Sequence, residues 1–112
     1  MIDAFEFGRI VIEGKKYTSD VIVFPNRVDD NWWRKEGHSL VVEDIESFMK
    51  EEPDIVIVGT GVEGRMQVPD KTRKYIESKG ADLMVERTKK ACELYNEVSK
   101  NAKAVAALHL TC

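Results

Sequence analysis

Residues Gly59-Thr60-Gly61-Val62-Glu63-Gly64 spell G-x-G-x-x-G directly behind the apolar run Ile55 to Val58. This is the spacing by which a dinucleotide loop brings backbone amides up to a pyrophosphate. Glu86 follows about twenty residues beyond Gly64, where a ribose-binding acid belongs. The chemistry also requires the turn to open straight onto a helix, whose free N–H groups meet the anion. Here Arg65-Met66-Gln67-Val68 intervenes before Pro69, and the residue ahead of a proline is driven toward extended geometry. The glycines are therefore set back from the helix start. A nicotinamide enzyme of this class also pairs two such halves, whereas a hairpin precedes this motif and little more than one strand unit follows it. The weight falls on a glycine turn at the carboxyl end of a central strand, which is where open α/β sheets place ligands. A small anionic ligand can be held there by Gly59, Thr60 and Gly61 with Arg65 as its charge partner and Thr88 and Asn96 as polar neighbours. No G-K-[ST] triplet is present, which excludes a Walker-type phosphate loop.

The remaining candidates are weaker chemically. His38, Cys92, His109 and Cys112 are metal-ligand types, but without C-x-x-C or a second close pair no metal site is expected, and no cofactor. Cys92 falls on an apolar helix stripe and is expected to pack as a small core residue; His109 is expected as a packed or edge imidazole. The carboxylates scatter along helix surfaces, Glu93 and Glu97 as a mere i,i+4 pair, and form no acid–base couple. Trp32-Trp33-Arg34 with His38 is the more telling group, because indoles beside an arginine anchor protein interfaces. One indole is expected to be buried and the other partly exposed, since a long loop over a core needs at least one apolar lid.

Several elements must position these residues. Ile10, Ile12, Tyr17, Val21 and Val23 nearly alternate around Glu13-Gly14-Lys15-Lys16, which predicts an amino-terminal β-hairpin. A long polar loop carries the tryptophans, and Ile45, Phe48 and Met49 predict a short helix over 43–50 that stops before Pro53. Ile55 to Val58, apolar throughout, predicts a strand covered on both faces and the sheet centre. A helix opens at Pro69-Asp70 and closes at Lys79-Gly80. A strand over 82–86 follows, then a helix with Thr88 as N-cap and an apolar stripe of Ala91, Cys92, Leu94, Tyr95 and Val98. Residues 103–110 predict a last buried strand. The order is that of one α/β domain over residues 1–112, with a mixed central β-sheet flanked by helices in three layers and an appended hairpin.

The chain has 112 residues, enough for one core without staples. Its 43% hydrophobic residues fit a packed domain. A net charge of -3 supplies no field for a phosphate backbone, so nucleic acid is not an expected partner. The longest apolar runs fall far short of a membrane span, and the start lacks a signal-peptide pattern, so no membrane association and a cytoplasmic location are expected. Two cysteines in such a compartment are expected as thiols.

YTSDVIVFP, the loop with WWRKEGHSL, IVIVGTG, and TKKACELYN followed by AVAALHLTC together cover nearly the whole chain. In these segments it resembles the small-domain family of unknown biochemical activity that includes the adipogenesis-associated domain protein and the mitochondrial complex I assembly factor. The shared pattern marks Gly59, Gly61, Thr88, Ala91, Tyr95 and Asn96; where many members have Gly-Arg after the last helix, this chain has Asn101-Ala102-Lys103. The resemblance implies a three-layer α/β fold, no established catalysis, and a role as an assembly or regulatory partner of another, unidentified protein. That role is the expected function. The alternative is a small-molecule or anion-binding protein acting at the glycine loop.

Overall fold

A computed structural model describes residues 1–112. Five strands, β1 (Ile2–Glu6), β2 (Arg9–Ile12), β3 (Lys15–Tyr17), β4 (Val21–Val23) and β5 (Val28–Asp29), precede any regular helix. A 3-10 turn, Val42–Asp44, leads into α1 (Glu46–Met49); β6 (Ile55–Gly59), α2 (Asp70–Ser78), β7 (Asp82–Glu86), α3 (Thr88–Val98) and β8 (Ala104–Leu108) complete the chain.

Two sheets result. The larger has the order β5-β4-β8-β6-β7 and the smaller is the antiparallel β1-β2-β3. Strand β8 runs parallel to β6 and antiparallel to β4, so the last strand occupies the middle of the sheet. Strand β6, expected there, is its neighbour. The register pairs Ile57 with both Ala106 and Met84.

The period-two alternation of these strands divides the core into two halves. Val21, Val23, Ile57, Ala104, Ala106 and Leu108 face one side, where α3 and the small sheet bring Ala91, Tyr95, Ile2 and Ile10. Ile22, Val56, Val58, Val105 and Ala107 face the other, against Ile45, Phe48, Met66 and Ile76 from the α1–α2 side. Both faces of the large sheet are thus covered, giving the three expected layers. The alanines of β8 keep its faces flat, which lets the helix layers close down on it.

Three expectations need correction. The alternation read as one hairpin breaks at Ser19-Asp20: β2 and β3 pair around Glu13-Gly14, but Val21 and Val23 belong to the large sheet. The helix expected over 43–50 is split, because Ile45 sits at φ -117 between the 3-10 turn and α1. Asp44, which would have opened that helix, instead accepts N–H bonds from Lys35 and Val41. Helix α3 has Arg87, not Thr88, at its N-cap.

Candidate functional site

The glycine turn leaves the carboxyl end of β6, as its apolar run predicts, but the room made by its glycines is filled by the chain itself. A Cβ on Gly59 would stand 2.9 Å from the Thr88 hydroxyl and 2.9 Å from Leu108 Cδ2. Gly59 therefore allows the start of α3 to press on the strand end. Gly61 has φ +104, and a Cβ there would stand 2.6 Å from the Cys112 carbonyl oxygen. Residues 109–112 lie across the turn and fill the space its glycines leave.

The backbone hydrogen bonds account for this seal. The amides of Val62 and Arg65 donate to the carbonyls of Thr111 and Cys112 at 2.7 and 3.1 Å. Thr60 N–H donates to Glu86 O, Gly64 N–H to Gly61 O, and Met66 N–H to Thr60 O. Gly61 N–H donates to the Thr88 hydroxyl at 2.8 Å, and that hydroxyl donates to His109 O at 2.6 Å. Thr88 caps no helix: its buried side chain ties the turn, α3 and the tail into one unit.

Of the anion-site residues, the structure brings together Gly59, Thr60, Gly61 and Thr88. Arg65 and Asn96 stand apart. Arg65 is 62% exposed and pairs with Glu63 at 2.8 Å. Asn96 lies two helical turns past Thr88, where its amide accepts from Ile2 N–H and donates to Ile2 O, both at 2.8 Å. It clamps β1 to α3, so the small sheet is held by a side-chain mimic of strand pairing.

A second cluster, invisible as a sequence motif, sits under the tail. Asp20, Arg34 and His109 meet with side chains only 17%, 6% and 8% exposed. Asp20 Oδ2 accepts from Arg34 Nη1 at 2.6 Å and lies 2.8 Å from His109 Nδ1; its Oδ1 accepts from Leu110 N–H at 2.8 Å. Arg34 Nη2 is also 3.0 Å from Nδ1. One ring nitrogen cannot serve both neighbours. A proton on Nδ1 donates to the carboxylate, whereas a lone pair there would face a carboxylate oxygen, so the Nδ1–H form fits the charges. Burial pushes the Asp20 carboxyl up, but the bonds from His109, Leu110 and Arg34, with the arginine charge, outweigh it and hold the group below its ordinary value of 3.8. The aspartate–histidine pairing has the form of an acid–base couple, yet the ring is enclosed and both of its neighbours hold the tail.

The tryptophan loop is built on the same cluster. Trp32 Nε1 donates to Asp44 O at 3.2 Å, and the Arg34 guanidinium lies 4.9 Å from the Trp32 ring centroid. Trp32 and Arg34 are thus both drawn inward, and in extended chain the residue between them must face the other way. Trp33 is accordingly 76% exposed, against the half-burial of Trp32. Of the four residues expected to bind protein, Trp32 and Arg34 turn inward beside Trp33, while His38 is exposed and stands edge-on to His109 with ring centroids 6.2 Å apart. Phe7 and Val62 are also exposed, on loops bonded to the tail through Gly8 N–H to Leu110 O and Val62 N–H to Thr111 O. Beside them stand Arg87 and Lys89. No group of three or more His, Cys, Asp or Glu side chains has the geometry of a metal site. No helix is long and apolar enough to cross a membrane.

These features define a three-layer α/β domain whose glycine turn is closed by its own carboxyl-terminal residues. The chain belongs to the family described as protein of unknown function (DUF498/DUF598), whose model matches residues 2–109. Among solved structures it is similar to the conserved hypothetical protein PH1505 from Pyrococcus horikoshii OT3, with 26% identity and a TM-score of 0.86 over 100% of this chain and 99% of that one. It is similar also to MT938, with 28% identity and a TM-score of 0.81 over 100% and 98%. An outer membrane protein from Bartonella henselae shares the fold at 20% identity, with a TM-score of 0.83 over 99% and 94%.

Proposed function

We propose that this protein is a noncatalytic partner of another protein, an assembly or regulatory factor of the kind the family resemblance implies, acting in the cytoplasm. The observation that carries the reading is Trp33, a large indole held in solvent at 76% exposure by a buried scaffold on either side of it. Leaving such a side chain in water forgoes about 2 kcal/mol of burial, and an indole so placed is the usual anchor of an interface. Phe7 and Val62 form a second exposed apolar group, bordered by Arg87 and Lys89. The partner surface that matches is apolar with acidic flanks. The filled amides of the glycine turn favour this reading over anion binding at the same end.

The test is affinity capture with the wild type, Trp33→Ala and Phe7→Ser, each checked by circular dichroism and melting. A partner retained by the wild type and lost by both folded variants supports the proposal. Capture of the same partners by all three overturns it.

A further inference from the structure

A concavity of about 480 Å³ lies away from the tail, between the free edge of β3, the β4–β5 turn and the carboxyl end of α3. Val23, paired with Ala106, and Ser99, beyond the last turn of α3, place it away from the Gly59–Gly61 turn. Its volume falls in the range of small-molecule sites, roughly 300–1,000 Å³. Tyr17, Val23, Phe24, Val28 and Tyr95 supply an apolar lining in which three of the five side chains are aromatic.

The polar groups around it are unequally engaged. Arg27 is held by Asp29 at 3.2 Å and by Glu51, and stacks on Phe24 with its guanidinium carbon 3.8 Å from the ring centroid. Glu13 meets the Met1 amino group at 3.4 Å. Lys15 has no carboxylate partner; its Nζ lies 5.3 Å from the Tyr17 ring centroid. The mouth therefore carries one cation that the protein does not neutralise. Inside, the Tyr95 ring is buried, the residue being 4% exposed, while its hydroxyl is open to the concavity and makes no hydrogen bond with the protein. A hydroxyl so placed can donate to a bound molecule. Burial also pushes its pKa up, so it remains a proton donor across the neutral range.

We infer that this concavity is a binding site for a small carboxylate with a flat apolar body, its carboxylate at Lys15, its body against Tyr17, Val23 and Phe24, and a polar atom of it accepting from the Tyr95 hydroxyl. The single free cation selects an anion. The three aromatic rings favour a planar body stacked against them. The site is separate from the tail face and does not depend on the partner proposed there.

The experiment is an amide-resolved NMR titration with 3-phenylpropionate, with octanoate and 3-phenylpropanamide as companion probes, on the wild type, Lys15→Glu and Tyr95→Phe. Saturable shifts confined to residues 15–17, 23–28 and 95–99 are expected. Lys15→Glu should weaken binding about fivefold, Tyr95→Phe by a similar factor, and the neutral amide should bind more weakly than the acid. Octanoate binding as tightly as 3-phenylpropionate would overturn the planar-body assignment. No saturable shift with 3-phenylpropionate, shifts centred on Phe7 and Val62, or equal binding of acid and amide unaffected by Lys15→Glu would overturn the site. Lys15 is exposed and Tyr95→Phe removes one oxygen that makes no bond within the protein, so both variants are expected to fold.

Discussion

Arg34 and His109, 75 residues apart in the chain, lie 3.0 Å apart and share the carboxylate of Asp20. This contact joins the tryptophan loop to the tail and the tail to the glycine turn. Because the folded-state pKa of Asp20 is depressed, its contribution to stability is fully present above the ordinary value of 3.8 and is lost as pH falls through the lower folded value. Asp20→Asn should therefore lower stability at neutral pH by about 3 kcal/mol, the cost of stranding a buried cation. It should also flatten the acid limb. Urea unfolding between neutral pH and pH 3 checks both effects.

Gly61→Ala should cost about 2–4 kcal/mol, because φ +104 and the Cys112 carbonyl both oppose a side chain. Gly8→Ala, at φ +77 but with nothing within 4 Å, should cost about 1 kcal/mol. Equal losses in urea unfolding would show that the tail does not seal the turn as described.

Cys92 is buried, and desolvation with the nearby Glu93 charge pushes its thiol up to about 12. Cys112 is partly exposed. An aromatic disulfide reagent at pH 8 should modify one thiol in the native protein and both after unfolding.

Asn96→Ala removes both bonds to Ile2 and should destabilise the protein by about 1–3 kcal/mol. Hydrogen exchange should quicken across β1–β3 more than across β6–β8, since only the small sheet loses its clamp.

Acrylamide should quench Trp33 far more than Trp32. Trp33→Phe should remove most of the quenchable emission with little change in melting temperature. Trp32→Phe loses the bond to Asp44 O and the stack with Arg34, and should lower it.

Much of the later half of the fold is legible in local chemistry. β6, α2, β7, α3 and β8 announce themselves through apolar periodicity, Pro69 at the head of α2 and Gly80 behind it. The first half misleads because one alternation runs through two sheets, and the break shows only in the pairing of β4 with the distant β8. Strand β1, with the burial pattern of one core residue followed by exposed neighbours, carries almost no periodic signal. The tryptophan loop was legible as a group of types, but the reason Trp33 faces solvent was not. That reason lies in Asp20 and His109, 89 residues apart, and no local spacing encodes such a meeting. The glycine motif was legible as a turn; what occupies it could not be read, because the occupant is the far end of the chain.

The position of β8 also imposes an order of events on a ribosome. The strand at the middle of the five-stranded sheet is the last of the eight to be made. Until it emerges, β4–β5 and β6–β7 are two ribbons, each with an open edge of unpaired backbone groups and apolar faces that only the final strand can join. Closure of the large sheet therefore waits on insertion of β8 between the two ribbons, whose edges and apolar faces stay exposed until then.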